Sequence, residues 1–251
     1  MSSKVLVVLY PADDGSRTSS DVESIVQLCI KSLEGADQQT RRSLARLVGH
    51  MLASTQVERK APPEPAKKGK KEQDDDNDVP IPVAIQTEGP KLILTPNQML
   101  QILSLHFNKA ATTRKTRIGI FDFYSTLLLT LGPAWVEANY ALIVRHFFTE
   151  VVTSMRSTSS RFEILTVRKL VGVLLRDLIA LRMLSEQGQI GAIRELSLAY
   201  IKKWPAVMPG QYAPNQLVLV IALREIAGLL QQLGSAPPPV QVSITPGQAC
   251  A

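Results

Sequence analysis

Aromatic residues are scarce, at 5% of the 251 residues, and apolar content of 45% is carried mostly by Leu, Val, Ile and Ala. So few rings beside so much Leu and Ala argue against a β-sandwich and for helices, in a chain long enough to bury a sizeable core. Only two cysteines occur, Cys29 and Cys250, in unlike contexts. They offer neither a disulfide framework nor metal-ligand spacing, which fits a reducing compartment. No apolar run is long and charge-free enough to span a bilayer. Lys4-Val-Leu-Val-Val-Leu-Tyr10 is too short for a secretory signal and is followed by Pro11 and two aspartates. The expected location is the cytosol.

The chemistry of catalysis is also missing. His50, His106 and His146 fall on three separate helical stretches, none with a Cys, His or carboxylate at ligand spacing. No Gly-rich phosphate loop or Gly-x-Ser-x-Gly elbow is present. Asp74, Asp76 and Asp78 alternate as in a calcium loop, but Val79 stands where that loop needs Gly and Ile85 where it needs Glu. The expectation is a non-enzyme with no cofactor, no metal and no small-molecule substrate.

What is present is a succession of amphipathic stretches interrupted by one charged tract. Residues 57–94 contain Ala61-Pro-Pro-Glu-Pro65, Lys67-Lys-Gly-Lys-Lys71 and Asp74-Asp-Asp-Asn-Asp78, a composition that cannot bury enough apolar surface to order itself. That tract is predicted to be disordered and cut first by proteases between Arg59 and Lys71. The tail 235–251, with Pro237-Pro-Pro239, is expected to be flexible. The tract nets −1 out of a formal charge of +6, so the rest of the chain carries +7, a weak pointer to an acidic partner.

Residues 1–56 hold the first helical pair behind a short apolar remnant, and 95–234 hold a longer helical array. Val22, Ile25, Val26, Cys29, Ile30 and Leu33 make one stripe, with Ser20 and Glu23 as its expected capping box. Asp37 is the expected N-cap of the second helix, and the turn at Gly35-Ala36 forces an antiparallel hairpin. Thr95 and Pro96 start the third helix, and Gly132-Pro133 stops the fourth. A fifth is expected from Pro133 to about Ser154. A sixth starts at a capping box of Ser160 and Glu163 and carries Val167, Leu170, Val171, Leu174, Leu178 and Leu181. Leu175 and Ile179 lie off that stripe, so this helix is expected to be apolar on more than one face and packed on two sides. A seventh spans about Ser185 to Trp204, and an eighth carries Leu219, Leu223, Ile226, Ala227 and Leu230.

A repeat runs through these helices. Thr40-Arg41 is followed by Leu44 and Val48-Gly49, Thr116-Arg117 by Ile120 and Tyr124, and Val167-Arg168 by Val171 and Leu175. In each, a β-branched residue precedes Arg, and apolar residues follow it at three and seven positions. Repeated helix pairs sharing a core make a solenoid, so the expected fold is an all-α, HEAT-type α-solenoid of antiparallel pairs. Asp37, Arg41, Gly49, Arg117 and Arg168 are its expected structural residues. Arg114, Lys115 and Arg117 form a basic cluster at a helix start, where cations oppose the dipole and call for an acidic neighbour. They are the candidate partner-binding residues.

The spacing Asp37, Thr40-Arg41, Leu44, Val48-Gly49 resembles the second helix of a HEAT repeat. Three longer stretches are similar to the HEAT-repeat-containing protein 5 family, in the family's order: Val26 to Gly35 running into Arg41 to Gly49, Thr116 to Ser125 continuing to Leu131 to Tyr140, and Gln216 to Glu225 ending with Leu233 to Ser235. Members are very large cytosolic solenoids that accompany the clathrin adaptor of the trans-Golgi network and endosomes. The resemblance implies a protein-binding scaffold acting in adaptor recruitment and vesicle transport, peripheral to those membranes through its partners, namely adaptor subunits or co-accessory proteins. The chain is much shorter than such proteins, so it reads as a fragment or reduced homologue with uncapped ends, expected to self-associate. The alternative is a basic solenoid that binds nucleic acid or serves nuclear transport. Against it, basic residues are not interleaved with stacking aromatics.

Overall fold

The computed structural model describes residues 18–57, 92–154, 160–201 and 212–234. Among these the secondary structure is helical throughout, with no strand. The expected protease-sensitive tract, its charged blocks, Trp204 and the tail lie outside the described residues. Eight helices are described: α1 Ser19–Ser32, α2 Gln38–Ser54, α3 Pro96–Phe107, α4 Arg114–Ala138, α5 Tyr140–His146, α6 Arg161–Val173, α7 Glu186–Leu196 and α8 Tyr212–Gly234. Three of them run on into π-helical turns: α5 into Phe147–Val152, α6 into Leu174–Ala180, and α7 into Ser197–Ile201. The chain divides at Gly132–Pro133 into two compact units.

In the first unit, local chemistry sets the helix starts. Thr18, not Ser20, caps α1. Its side chain accepts from the Asp21 backbone N–H at 3.3 Å, and the Asp21 carboxylate accepts from the Thr18 N–H at 2.9 Å. The capping box lies two residues ahead of the expected one because either Thr-x-x-Asp or Ser-x-x-Glu satisfies it. Asp37 caps α2 through Thr40 N–H at 2.7 Å, and Thr95 with Gln98 forms the box of α3. The apolar stripes are buried as expected, among them Val26, Leu33, Val48, Leu52, Met99 and Phe107.

The second helical array starts at Thr95 and Pro96, as expected, and the described residues reach back from there to residue 92. Leu94 is buried, and the Gln56 amide donates to its carbonyl at 3.0 Å, so the end of α2 and the approach to α3 are tied together. Two small residues permit close packing. A Cβ on Gly49 would meet Thr126 Cγ2 at 2.8 Å and the Leu127 backbone N at 3.1 Å, and one on Gly119 would meet Leu33. α4 is kinked at Gly132, whose φ of 81° and ψ of 171° belong to a region open essentially to glycine alone.

In the second unit the chain breaks again at Asn139, where the periodicity predicts an unbroken helix. Asn139 Nδ2 donates to the Trp135 carbonyl at 2.9 Å, a side-chain bond that competes with helix propagation. Ser160 caps α6, its Oγ accepting from Glu163 N–H at 3.2 Å. Ser185 caps α7 through Gly188 N–H at 3.0 Å. The Glu137 carboxylate in turn accepts from the Ser185 N–H at 3.1 Å and its hydroxyl at 3.0 Å, an anion placed on a helix N-terminus. Gly188 makes room for it, since a Cβ there would lie 2.5 Å from Glu137 Cδ.

The stripe expected on α6 holds only to Leu174. Beyond it Leu181 is 62% exposed, while Ile179, Met183 and Leu184 are buried. The π turn is the cause: an i→i+5 bond takes up about one extra residue per turn, so the inward position passes from Leu178 to Ile179. The face of α8 is also not the expected one. Ile221, Ala222, Glu225 and Leu229 are buried, whereas Leu223 and Leu230 are exposed. This helix is apolar on two faces, and the packing takes the one that includes a carboxylate.

Candidate functional site

The inner positions of the three Arg-centred repeats are all buried: Leu44 and Val48, Ile120 and Tyr124, Val171 and Leu175. The arginines beside them do different jobs. Arg41 Nε lies 2.6 Å from Asp122 Oδ2 and joins α2 to α4. Burial pushes the Asp122 carboxyl above its ordinary range, and the Arg41 guanidinium opposes that shift. Arg117 Nε donates to the Phe107 carbonyl at 3.2 Å, and its guanidinium lies 5.7 Å over the Phe107 ring. Arg168 is half-buried, and its Nε has no hydrogen-bond partner among the described residues.

The basic cluster at the start of α4 meets both an acidic neighbour and two helix ends: the Asp37 carboxyl, held below its ordinary range chiefly by its hydrogen bonds to Thr40, is lowered further by the Lys115 charge. Lys115 Nζ donates to the Glu34 carbonyl at 3.1 Å, just past the end of α1, and Arg117 reaches the last carbonyl of α3. Both cations therefore sit at the negative ends of neighbouring helices, which outweighs their place at a positive one. The sequence places these residues at one helix start but says nothing of the two helix ends beside it.

An open groove of about 190 Å³ lies beside them, lined by Lys31 of α1, Glu34 just past its end, His106 of α3, Lys109, and Thr112 and Thr113. The Lys109 ammonium lies 3.1 Å from His106 Nδ1, so that nitrogen accepts and the ring is neutral. Burial holds the His106 imidazole below its ordinary range, and Lys109 and Lys31 push it the same way. Thr112 Oγ donates to the His106 carbonyl at 2.7 Å and fixes the wall. A groove of this size falls below the roughly 300 Å³ of small-molecule sites. Its charged lining is two ammonium groups, Lys31 and Lys109, and one carboxylate, Glu34. The signal for it in the sequence was Lys109 three residues after His106, a pairing that means nothing until α1 brings Lys31 alongside.

Elsewhere, His146 is buried edge-on to Phe147, and burial pulls its imidazole down to about 4. Cys29 is a core residue of α1 whose thiol burial pushes up to about 11, far from a nucleophile. Among the described residues no cluster of His, Cys, Asp and Glu could hold a metal ion, and no single helix is long and apolar enough to cross a membrane. No family model matches the chain, and no solved structure matches it.

Proposed function

We propose that this chain is a segment of a HEAT-type α-solenoid that works as a protein-binding scaffold, an accessory to clathrin adaptor recruitment at trans-Golgi and endosomal membranes. The observation that carries the solenoid reading is the threefold Arg pattern with its six buried inner positions. The adaptor reading rests on the resemblance of the three stretches. The groove at the end of α1 adds a contact of definite chemistry: Lys31, Lys109 and neutral His106 around a shallow opening suit a carboxylate from an acidic partner segment. Membrane association is indirect, through that partner.

The test is capture from cell extract with the tagged chain, read by quantitative mass spectrometry, beside a Lys31→Glu, Lys109→Glu variant. Adaptor subunits or their co-accessory proteins enriched by the parent, and reduced about tenfold by the double reversal, are the expected result. No adaptor-linked protein in either sample overturns the adaptor reading. Enrichment insensitive to the reversal removes the groove from the interface. A nucleic-acid mobility shift persisting at physiological salt favours the basic-solenoid alternative.

A further inference from the structure

We propose that α8 pairs two copies of this chain, antiparallel, about a two-fold axis that crosses the helix at residue 225. The inference is independent of the adaptor reading. One face of α8 is spent on its own unit, where Ile221, Ala222, Glu225 and Leu229 pack against α7 and the π turns after α6 and α7. Among the described residues nothing covers the other face. Val220 is 45% exposed, Leu223 46% and Leu230 55%, with Ala227 exposed between them. Their spacing of three, four and three residues is that of a helix–helix seam. A solvated helix face carries charges at such positions. Here the only charged residues from Val218 to Gly234 are Arg224 and the buried Glu225.

The stripe is complementary to its own reverse. A two-fold at 225 sets Leu223 opposite Ala227 of the second copy and Val220 opposite Leu230, a larger side chain against a smaller one in each pair. It is the one axis position that gives all four residues a partner from the stripe. A parallel pairing would instead stack Leu on Leu and Ala on Ala, leaving a void at each Ala. A closed isologous contact of this kind is the commonest arrangement of soluble homo-oligomers. The face from Leu219 to Leu233 is about 21 Å long. A single helix face covers less than the ~800 Å² per partner of a standard interface, so the expected dimer dissociates in the micromolar range. Arg224 lies within a turn of its mate across the axis, so added salt strengthens the dimer by screening that repulsion.

Sedimentation velocity of the full chain from about 1 to about 100 µM is the experiment. A reversible monomer–dimer shift is expected, strengthened by salt and weakened at least tenfold by Leu223→Lys or by Leu230→Lys. Both sites are exposed, so thermal melts of the dilute variants should match the parent. For register, Leu223→Cys and Ala227→Cys copies are mixed and oxidised in a Cys250→Ser background, where buried Cys29 stays inert. Mixed disulfides should outnumber those formed by either variant alone. A monomer at every concentration, open-ended polymers, association indifferent to both lysine variants, or self-disulfides in excess each overturn the proposal.

Discussion

Residues 18–132 and 133–234 are built from the same kinds of residue yet relate to their sequence differently. In the first unit, the described helices up to Gly132 keep the α period, and each apolar stripe that the spacing predicts is the one that packs, as Val22 to Leu33 and Met99 to Phe107 do. In the second, π turns follow α5, α6 and α7, and two of the faces that spacing predicts are displaced or reversed. Periodicity reports burial only while residues per turn stay constant and only where a helix has a single apolar face.

The largest expected effect probes how tightly the first unit is closed. Gly49→Val forces a side chain against the Thr126–Leu127 backbone, which cannot swing away, and should cost about 3 kcal/mol in urea unfolding. The matching change in the second unit is Gly191→Ala on α7, where no heavy atom lies within 4 Å of the added Cβ. It should be neutral or stabilise by up to about 1 kcal/mol through helix propensity.

The π register is tested within one turn. Ile179→Ala should cost about 2–4 kcal/mol, because Ile179 is wholly buried, whereas Leu181→Ala should change stability by less than about 0.5 kcal/mol. If the α period held, the ranking would be the reverse.

Buried ionisable groups give the second unit a pH signature. Burial pushes Glu225 up to about 7, with Arg176 opposing and Asp177 adding to the shift. Its folded value lies above its unfolded one, so its contribution is full below about 4.5 and is lost as pH rises through 7. Glu225→Gln, which mimics the protonated form, should therefore raise stability by on the order of 2 kcal/mol at pH 8 and by little at pH 4. His146 has the opposite sign: its folded value, about 4, lies below its unfolded one, so stability falls as pH drops below about 6.5. The two slopes oppose each other between about pH 4.5 and 6.5, and the Gln variant should expose the histidine slope in thermal melts across that range.

A smaller effect is expected at the cap of α7. Glu137→Ala removes the acceptor of two Ser185 hydrogen bonds and should cost about 1 kcal/mol. Gly188→Ala, which displaces the carboxylate while leaving Ser185 in place, should cost a similar amount. Additivity of the pair would show that the two act separately and would break this account of the cap.

These cases show what the sequence could disclose. Helix starts at Asp37, Thr95, Ser160 and Ser185 were legible because a cap is a contract between residues three apart. The stop at Gly132-Pro133 was legible for the same local reason. The jobs of Lys115 and Arg117 were not, since they depend on which helix ends lie beside them, about 80 and 10 residues back along the chain. The face of α8 was misread because the stripe through Leu223 and Leu230 is the more apolar of two, and hydrophobicity alone ranks a face that holds Glu225 below one that does not.

The π turns carry a consequence for how such a chain changes over time. A helix that can widen for a few residues can absorb a one-residue insertion with its two ends left where they were, and no loop need form. From Leu174 to Ala180 the chain behaves like a helix that has accepted such an insertion. A ruler with fixed marks laid from Arg168 reads correctly at Val171 and Leu175, then runs one residue early from Leu178 onward. Any pattern of constant spacing therefore loses phase at each widened turn: Ile193-Arg194, downstream of two of them, keeps the β-branched residue before Arg but has Ser197 where the pattern calls for an apolar residue.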